Sequence, residues 1–176
     1  MTQQGQRAAV VAIARSREKK NHYTQGSKRT EVGGGWSDCS SFVRWCYLKV
    51  LEQDIGLNTA VQITNKRLTN VADVRNLGGA YPPAERLLPG DLIFYKGSDP
   101  ARPRQCGHVE MYVGDGQIIG HGSGVGPTIK SLKTYSKNRY VRGRGWLCVL
   151  RMIPDIYVAP APPIVPGGQQ RRRGAP

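Results

Sequence analysis

The stretch Ser37-Asp38-Cys39-Ser40-Ser41-Phe42-Val43 decides how the first half of this chain folds. It follows Gly33-Gly34-Gly35-Trp36, whose glycines let the backbone turn sharply and leave room for a ligand to approach. From Cys39 onward, apolar side chains recur at helical spacing, at Phe42, Val43, Cys46, Tyr47 and Val50. This spacing predicts an amphipathic helix whose core-facing stripe begins at Cys39.

The start of this helix gives Cys39 a chemical context. Ser37 or Asp38 can cap the helix by accepting a hydrogen bond from a backbone amide. Cys39 then lies where unpaired N–H groups and the helix dipole favour a negatively charged thiolate. We therefore interpret Cys39 as a nucleophile, against the alternative that it is a small buried hydrophobic residue.

Composition and charge limit the class of protein. The 176 residues suffice for one domain with a full core, and 39% hydrophobic with 22% charged residues is typical of a soluble globular chain. The net charge of +14 favours anionic partners such as nucleic acid, acidic membranes or anionic wall polymers. We find no zinc-finger spacing and no recognition helix, so a nucleic-acid partner rests on charge alone. No stretch is long enough to predict a membrane span.

The four cysteines indicate reduced thiols. Cys39, Cys46, Cys106 and Cys148 include no C-x-x-C pair and no disulfide framework, which predicts folding in a reducing compartment. A zinc site built from Cys39, Cys106 and His108 is disfavoured, because closely spaced pairs of ligands are missing.

The two ends of the chain differ in character from its middle. Residues 8–14 are apolar and end in an A-x-A pattern, as in a short signal peptide, but the charged residues 15–20 follow at once. We favour an amphipathic helix from about Gln3 to Lys20. Half of the twelve prolines fall in 154–176, so we divide the chain into a domain at 1–153 and a Pro-rich basic tail, predicted to be disordered, at 154–176.

After Pro89-Gly90 the hydrophobic period changes to two. The pattern predicts strands at Asp91–Tyr95, His108–Val113, Gln117–His121 and Trp146–Ile153, with a hairpin turn at 114–116. Thr69–Leu77 gives a weak helical signal, and a basic stretch from Lys130 to Arg144 precedes the last strand. Helices followed by a mainly antiparallel sheet define the α+β class.

Two histidines flank the predicted hairpin. A cysteine nucleophile needs a base, a group that orients the base, and donors for the oxyanion. A helix packed on the sheet can bring Cys39 beside His108 at the start of its strand. His121 closes the partner strand and could bond the far ring nitrogen of His108. The alternative for His108 is a partly exposed histidine at a strand end, and the alternative for His121 is a histidine in a loop.

Three blocks carry a family resemblance. Asp38–Val43, Leu88–Tyr95 and Gly107–Gly116 resemble, in order and separation, the signature blocks of the NlpC-type cell-wall cysteine peptidases, and residues 23–26 resemble the segment that precedes the family's nucleophile. The likeness extends from about residue 22 to 153. It implies a papain-like α+β fold and cleavage of an amide bond in the peptidoglycan stem peptide.

The resemblance also implies roles for individual residues. Cys39 is then the nucleophile, His108 the base and later the acid, and His121 the polar residue that orients His108. Tyr23 would support the oxyanion hole with the backbone N–H of Cys39. His121 lies one residue after the family's usual third position, at which Gly120 falls, and a shift of one residue turns a strand side chain to the other face. A bulge at the hairpin would restore the alignment.

Asp38 and Ser40 match positions that help some members to hold a free amine of the stem peptide. Their alternative role is helix capping.

The mechanism expected from these residues is acyl transfer to water through a thioester, and it requires no metal or organic cofactor. We expect bacterial peptidoglycan as the partner, with anionic wall polymers as a further possibility, no specific nucleic acid, and a monomer. A phage endolysin fits these features best. Such an enzyme is made in the cytoplasm without a clear signal peptide and is released onto the wall; a virion-borne enzyme is another option. The rival functions are a CHAP-like N-acetylmuramoyl-L-alanine amidase, a non-catalytic wall-binding module and a basic nucleic-acid-binding protein.

Overall fold

The computed structural model describes residues 1–155. Its helices are α1 (Gln3–Arg15), α2 (Cys39–Leu51), α3 (Thr59–Ile63), α4 (Val74–Leu77) and α5 (Leu132–Val141). Its strands are β1 (His22–Tyr23), β2 (Trp36–Ser37), β3 (Thr69–Asp73), β4 (Leu92–Lys96), β5 (Cys106–Gly114), β6 (Gln117–Gly120), β7 (Thr128–Ser131) and β8 (Trp146–Arg151). The predicted tail falls almost wholly outside the described residues.

Six of these strands form one sheet in the order β3-β8-β4-β5-β6-β7, and all neighbours are antiparallel. Strands β1 and β2 form a separate parallel pair that leads into α2. The predicted α+β class with a mainly antiparallel sheet is therefore confirmed.

Helix α2 packs on the sheet through the stripe predicted from its apolar spacing. Phe42, Val43, Cys46 and Tyr47 have no measurable exposure and join one core cluster with residues of β4, β5 and β8. Burial of such side chains contributes about 1.5–3 kcal/mol each to folding. This packing fixes the beginning of α2 against the sheet, which is where Cys39 lies.

Helix α1 ends at Arg15, before the expected end at Lys20, and two further segments add detail to the sequence-based expectation. The weak helical signal at Thr69–Leu77 divides into strand β3 and the short helix α4, because Asp73 ends the strand and caps the helix by accepting from the backbone N–H of Arg75 at 3.0 Å. The basic stretch after Lys130 contains the end of β7 and all of α5, whose buried residues are Leu132 and Ser136. A helix with so few buried residues has little apolar periodicity for a sequence pattern to detect.

All four cysteines are buried, unpaired thiols. No helix in residues 1–155 combines the length and apolar character needed to cross a membrane.

Candidate active site

Cys39 is the first residue of α2, and its position depends on a capping box. The Asp38 carboxylate accepts from the backbone N–H of Ser41 at 2.7 Å, and the Asp38 backbone N–H donates to the Ser41 hydroxyl at 2.9 Å. These two bonds satisfy the backbone N–H groups of Asp38 and Ser41, and they leave the N–H of Cys39 in the first turn without a partner in the capping box. Cys39 itself is 6% exposed, at the open end of the buried stripe.

His108 reaches this helix start from strand β5. The strand begins beside a close backbone crossing, where a Cβ on Gly107 would lie 2.6 Å from the Cα of Gly97, so both positions require glycine. Burial lowers the pKa of His108, but a Cys39 thiolate and the Glu110 carboxylate outweigh burial and raise it to about 9. The structure therefore brings Cys39 and His108 together as an interacting pair.

Glu110 is the residue that binds the far side of the His108 ring. Its Oε1 lies 2.7 Å from Nε2 of His108, and its side chain is completely buried. Residues two apart on a strand share a face, so the β5 backbone itself aligns the two side chains. Since Nε2 is engaged by Glu110, Nδ1 is the nitrogen left for Cys39.

The buried charge of Glu110 is compensated from a second strand. Lys130 on β7 places Nζ 2.9 Å from Oε1 of Glu110. Burial alone raises the pKa of Glu110, but the bonds from His108 and Lys130 outweigh it and lower the pKa. Glu110 is therefore an anion at neutral pH, as required of a carboxylate that stabilises an imidazolium.

Gly120 on β6 leaves the space that Glu110 occupies. A Cβ at this position would lie 2.6 Å from Cδ and 3.0 Å from Oε1 of Glu110. Gly120 is the position at which the resemblance expects the third polar residue, so the carboxylate from β5 fills the place of a side chain from β6.

His121 lies elsewhere in the site. Its Nδ1 is 2.7 Å from the Ser37 hydroxyl, and its ring stands edge-on to that of Tyr23 with centroids 5.2 Å apart. The Asn21 amide donates to the same Ser37 oxygen, so the hydroxyl proton is available for Nδ1 of His121. Burial lowers the pKa of His121 and keeps it neutral. His121 braces strand β2 just before Cys39. The contact that orients His108 comes instead from Glu110, and the β5–β6 bulge between Tyr112 and Gly114 does not bring His121 to Nε2 of His108.

Tyr23 lies on β1, where it pairs with Ser37 of the strand that leads into Cys39. It lines the same cleft as His108, and its hydroxyl accepts from the Gln25 amide at 3.0 Å. Burial raises the pKa of Tyr23, and a Cys39 thiolate raises it further. A neutral phenol at this position can donate a hydrogen bond to a developing oxyanion.

Asp38 and Ser40 both bind the guanidinium of Arg29. Arg29 Nη2 lies 2.7 Å from Asp38 Oδ2, and it donates to the Ser40 hydroxyl and the Leu57 carbonyl, both at 2.9 Å. Ser40 donates in turn to Asp38 Oδ1 at 2.9 Å. The place that a substrate amine would take against Asp38 and Ser40 is therefore held by a guanidinium.

Sequence reasoning missed Glu110, which lies within the Gly107–Gly116 block. The detectable signal was an acidic residue at i+2 from the base, on the same face of a strand whose other residues are almost all apolar. Within residues 1–155, no group of three or more His, Cys, Asp or Glu side chains is arranged to hold a metal ion.

A cysteine at the start of a buried helix, facing a histidine on an antiparallel sheet, defines a papain-like α+β domain. A model of the NlpC/P60 family matches residues 20–145. The chain belongs to the NlpC/P60 family.

Relatives of known name agree with this assignment. The chain is 26% identical over 127 residues to the peptidoglycan DL-endopeptidase CwlO of Bacillus licheniformis, covering 70% of this chain and 24% of that protein. It therefore spans about a quarter of the length of this curated relative.

Solved structures share the fold. The NlpC/p60 domain of the peptidoglycan hydrolase SagA has 25% identity and a TM-score of 0.55, covering 81% of this chain and 97% of that one. The peptidoglycan hydrolase RipB of Mycobacterium tuberculosis has 23% identity and a TM-score of 0.54, covering 87% and 67%. NlpC2 of Trichomonas vaginalis has 20% identity and a TM-score of 0.60, covering 85% and 47%.

Proposed function

We propose that this domain is a cysteine endopeptidase that hydrolyses an amide bond in the stem peptide of bacterial peptidoglycan. The observation that carries the proposal is the row Cys39, His108 and Glu110, in which a helix-start thiol meets a histidine bonded at 2.7 Å to a buried carboxylate. Membership of the NlpC/P60 family and relatives named as peptidoglycan hydrolases supply the substrate class.

The first half of the reaction forms a thioester. His108 takes the proton of Cys39, and the thiolate sulfur attacks the amide carbonyl. The N–H of Cys39 and the Tyr23 hydroxyl donate to the resulting oxyanion. The raised pKa of His108, about 9, keeps the ring protonated, so it can pass its proton to the leaving amine as the C–N bond breaks.

The second half regenerates the enzyme. His108, now neutral, takes a proton from water while the water oxygen attacks the thioester carbonyl. The C–S bond then breaks, the carboxylic acid product leaves, and the Cys39 thiolate and the His108 imidazolium are restored. Glu110 holds the ring in place and stabilises its cation in both halves without itself taking the proton.

The proposed biological setting is release of a cytoplasmic enzyme onto the cell wall, as in phage-driven lysis. The four buried thiols are compatible with folding in a reducing compartment, and the +14 charge favours an anionic wall. Expression in a bacterial cytoplasm should be harmless until the membrane is permeabilised, and turbidity should then fall. Lysis without permeabilisation would contradict this setting.

Digestion of purified peptidoglycan, followed by mass spectrometry of the soluble fragments, tests the activity. Cys39→Ala is the inactive variant, and Cys148→Ala is the matched control because it removes a buried thiol on β8. New peptide termini with wild type and control, but not with Cys39→Ala, would establish the endopeptidase. Release of intact stem peptides from glycan would mean an amidase, and wall binding without any products would mean a binding module.

A further inference from the structure

The cleft that His108 and Tyr23 line continues to a cluster of arginines. Its volume is about 700 Å³, and its lining runs from Tyr23 and His108 to Arg139, Arg142 and Arg144. A second depression of about 350 Å³ is lined by these same three arginines. We call this end of the cleft, formed by Arg139, Arg142 and Arg144, the arginine end.

This part of the molecule has an unusual charge balance. Residues 116–154 contain no Asp or Glu, but they contain the seven basic residues Lys130, Lys133, Lys137, Arg139, Arg142, Arg144 and Arg151. The acidic residue in the lining of the cleft is Asp99, and it pairs with Arg102 across 3.4 Å. The positive potential of the arginine end is therefore hardly neutralised by the cleft itself.

Arg139 holds the arginine end in a fixed shape. Its Nη2 donates to the Lys96 carbonyl at 2.8 Å, and its Nε donates to the Arg144 carbonyl at 3.2 Å. Its guanidinium also lies over the Tyr95 ring, 5.2 Å from the centroid. These contacts tie the turn after α5 to the end of β4, so the backbone that carries Arg142 and Arg144 is ordered before any ligand binds.

Arg142 and Arg144 are the members of the cluster with exposed side chains. Within residues 1–155, no carboxylate forms an ion pair with either guanidinium. The sequence beyond residue 155 adds no Asp or Glu. The positive charges of Arg142 and Arg144 are thus available to a ligand.

We propose that the arginine end binds a carboxylate of the peptide whose amide bond reaches Cys39. Guanidinium groups bind carboxylates and phosphates through paired, charge-assisted hydrogen bonds. We assign the anion to the substrate peptide because one continuous cleft joins the arginine end to His108, so a single extended peptide can reach both. The inference rests on the proposed function, and a phosphate-bearing wall polymer is the competing source of the same chemistry.

Binding measured by calorimetry in the Cys39→Ala protein tests the inference without requiring turnover. The probes are a synthetic stem tetrapeptide with free carboxylates, the same peptide with its carboxylates amidated, and poly(glycerol phosphate). The test variant is Arg142→Gln with Arg144→Gln. The matched control is Arg15→Gln with Arg67→Gln, which removes the same charge from exposed positions outside the cleft. Circular dichroism checks that both fold.

The free-acid peptide should bind about tenfold more tightly than the amidated peptide. The test variant should abolish this difference, whereas the control should retain it. Equal affinity for both peptides, or an equal loss in the control, would overturn the inference. Preferential binding of poly(glycerol phosphate), lost in the test variant, would also overturn it and assign the site to a wall polymer. If the wild-type enzyme cleaves nothing while the peptide difference persists, the proposed function fails and the carboxylate site stands.

Discussion

The Glu110 carboxylate occupies the space that a side chain on Gly120 would need, because a Cβ on Gly120 would lie 2.6 Å from Cδ of Glu110. The carboxylate that bonds His108 thus depends on the absence of a side chain on the neighbouring strand. An orienting group from β5 and one from β6 exclude each other. This relationship makes the site testable by paired substitutions.

Glu110→Gln should lower kcat by about 10²-fold or more, since the amide removes the charge that stabilises the His108 cation. The variant is nearly isosteric, so its thermal unfolding should show that the fold is kept. Glu85→Gln, at an exposed acidic position outside the cleft, is the control and should retain full activity. Wild-type kcat in Glu110→Gln would show that His108 needs no carboxylate.

The pH profile should shift with the same substitution. With a pKa of about 9, His108 stays protonated to that pH, so kcat/KM of the wild type should fall above about pH 9. Loss of the Glu110 charge lowers the pKa of His108 and should move this alkaline limb to lower pH. The raised pKa also stabilises the folded state; this contribution is complete below about pH 6.5 and is lost as the pH rises to about 9. An alkaline limb at the same pH in both proteins would contradict the pairing.

Gly120→Ala should destabilise the protein by about 1–3 kcal/mol, because the methyl group collides with the Glu110 carboxylate. The cost should largely vanish in the Glu110→Gly background, where the space is empty. Chemical denaturation of the four proteins of this cycle measures the coupling. Additive effects would show that the two residues do not compete for space.

The double variant Glu110→Gly with Gly120→His moves the orienting group from β5 to β6. It should recover part of the kcat that Glu110→Gly alone loses, since a histidine at 120 lies on the face that Gly120 leaves open. Digestion of peptidoglycan by the three proteins is the comparison. If kcat of the double variant does not exceed that of Glu110→Gly, the orienting group must come from β5 for this site to work.

His121→Asn should affect stability more than chemistry. Its contact with Ser37 braces strand β2 before Cys39. Without this acceptor the buried O–H of Ser37 has no partner, although Asn21 still donates to the oxygen, and an unpaired buried donor costs about 1–3 kcal/mol. The variant should therefore unfold at a lower temperature while kcat changes much less than in Glu110→Gln. A loss of kcat equal to that of Glu110→Gln at unchanged stability would return the orienting role to His121.

Much of the fold could be predicted from the sequence because it depends on local periodicity. The stripe on α2 and the alternation of β5 are visible in the order of residues, and they predict that Cys39 lies at the start of a helix and His108 on a strand. The weak helical signal at Thr69–Leu77 does not reveal strand β3, because this strand pairs with β8, some 80 residues away, with a bulge between Asn70 and Ala72. Local pattern carries no information about such a partner.

The composition of the site was less predictable for the same reason. A fully buried Glu110 is stable only because Lys130 comes from β7 and Gly120 opens space on β6. Neither condition can be read from the sequence around His108. The position of His121 likewise depends on Ser37, which is distant in the chain.

His108 and Glu110 belong to one interior strand, whereas Lys130 lies on β7 at the edge of the sheet. Local opening of that edge would expose the carboxylate and remove its cation, but it would leave base and orienting group side by side on an intact β5. The site therefore constrains the edge of the sheet mainly at two positions, Gly120 on β6 and Lys130 on β7, and the loop between these strands carries neither the base nor its orienting group. The His-Val-Glu tripeptide at 108–110 is thus a self-contained pairing of base and orienting group that needs from the sheet edge only the cation of Lys130 and the space at Gly120.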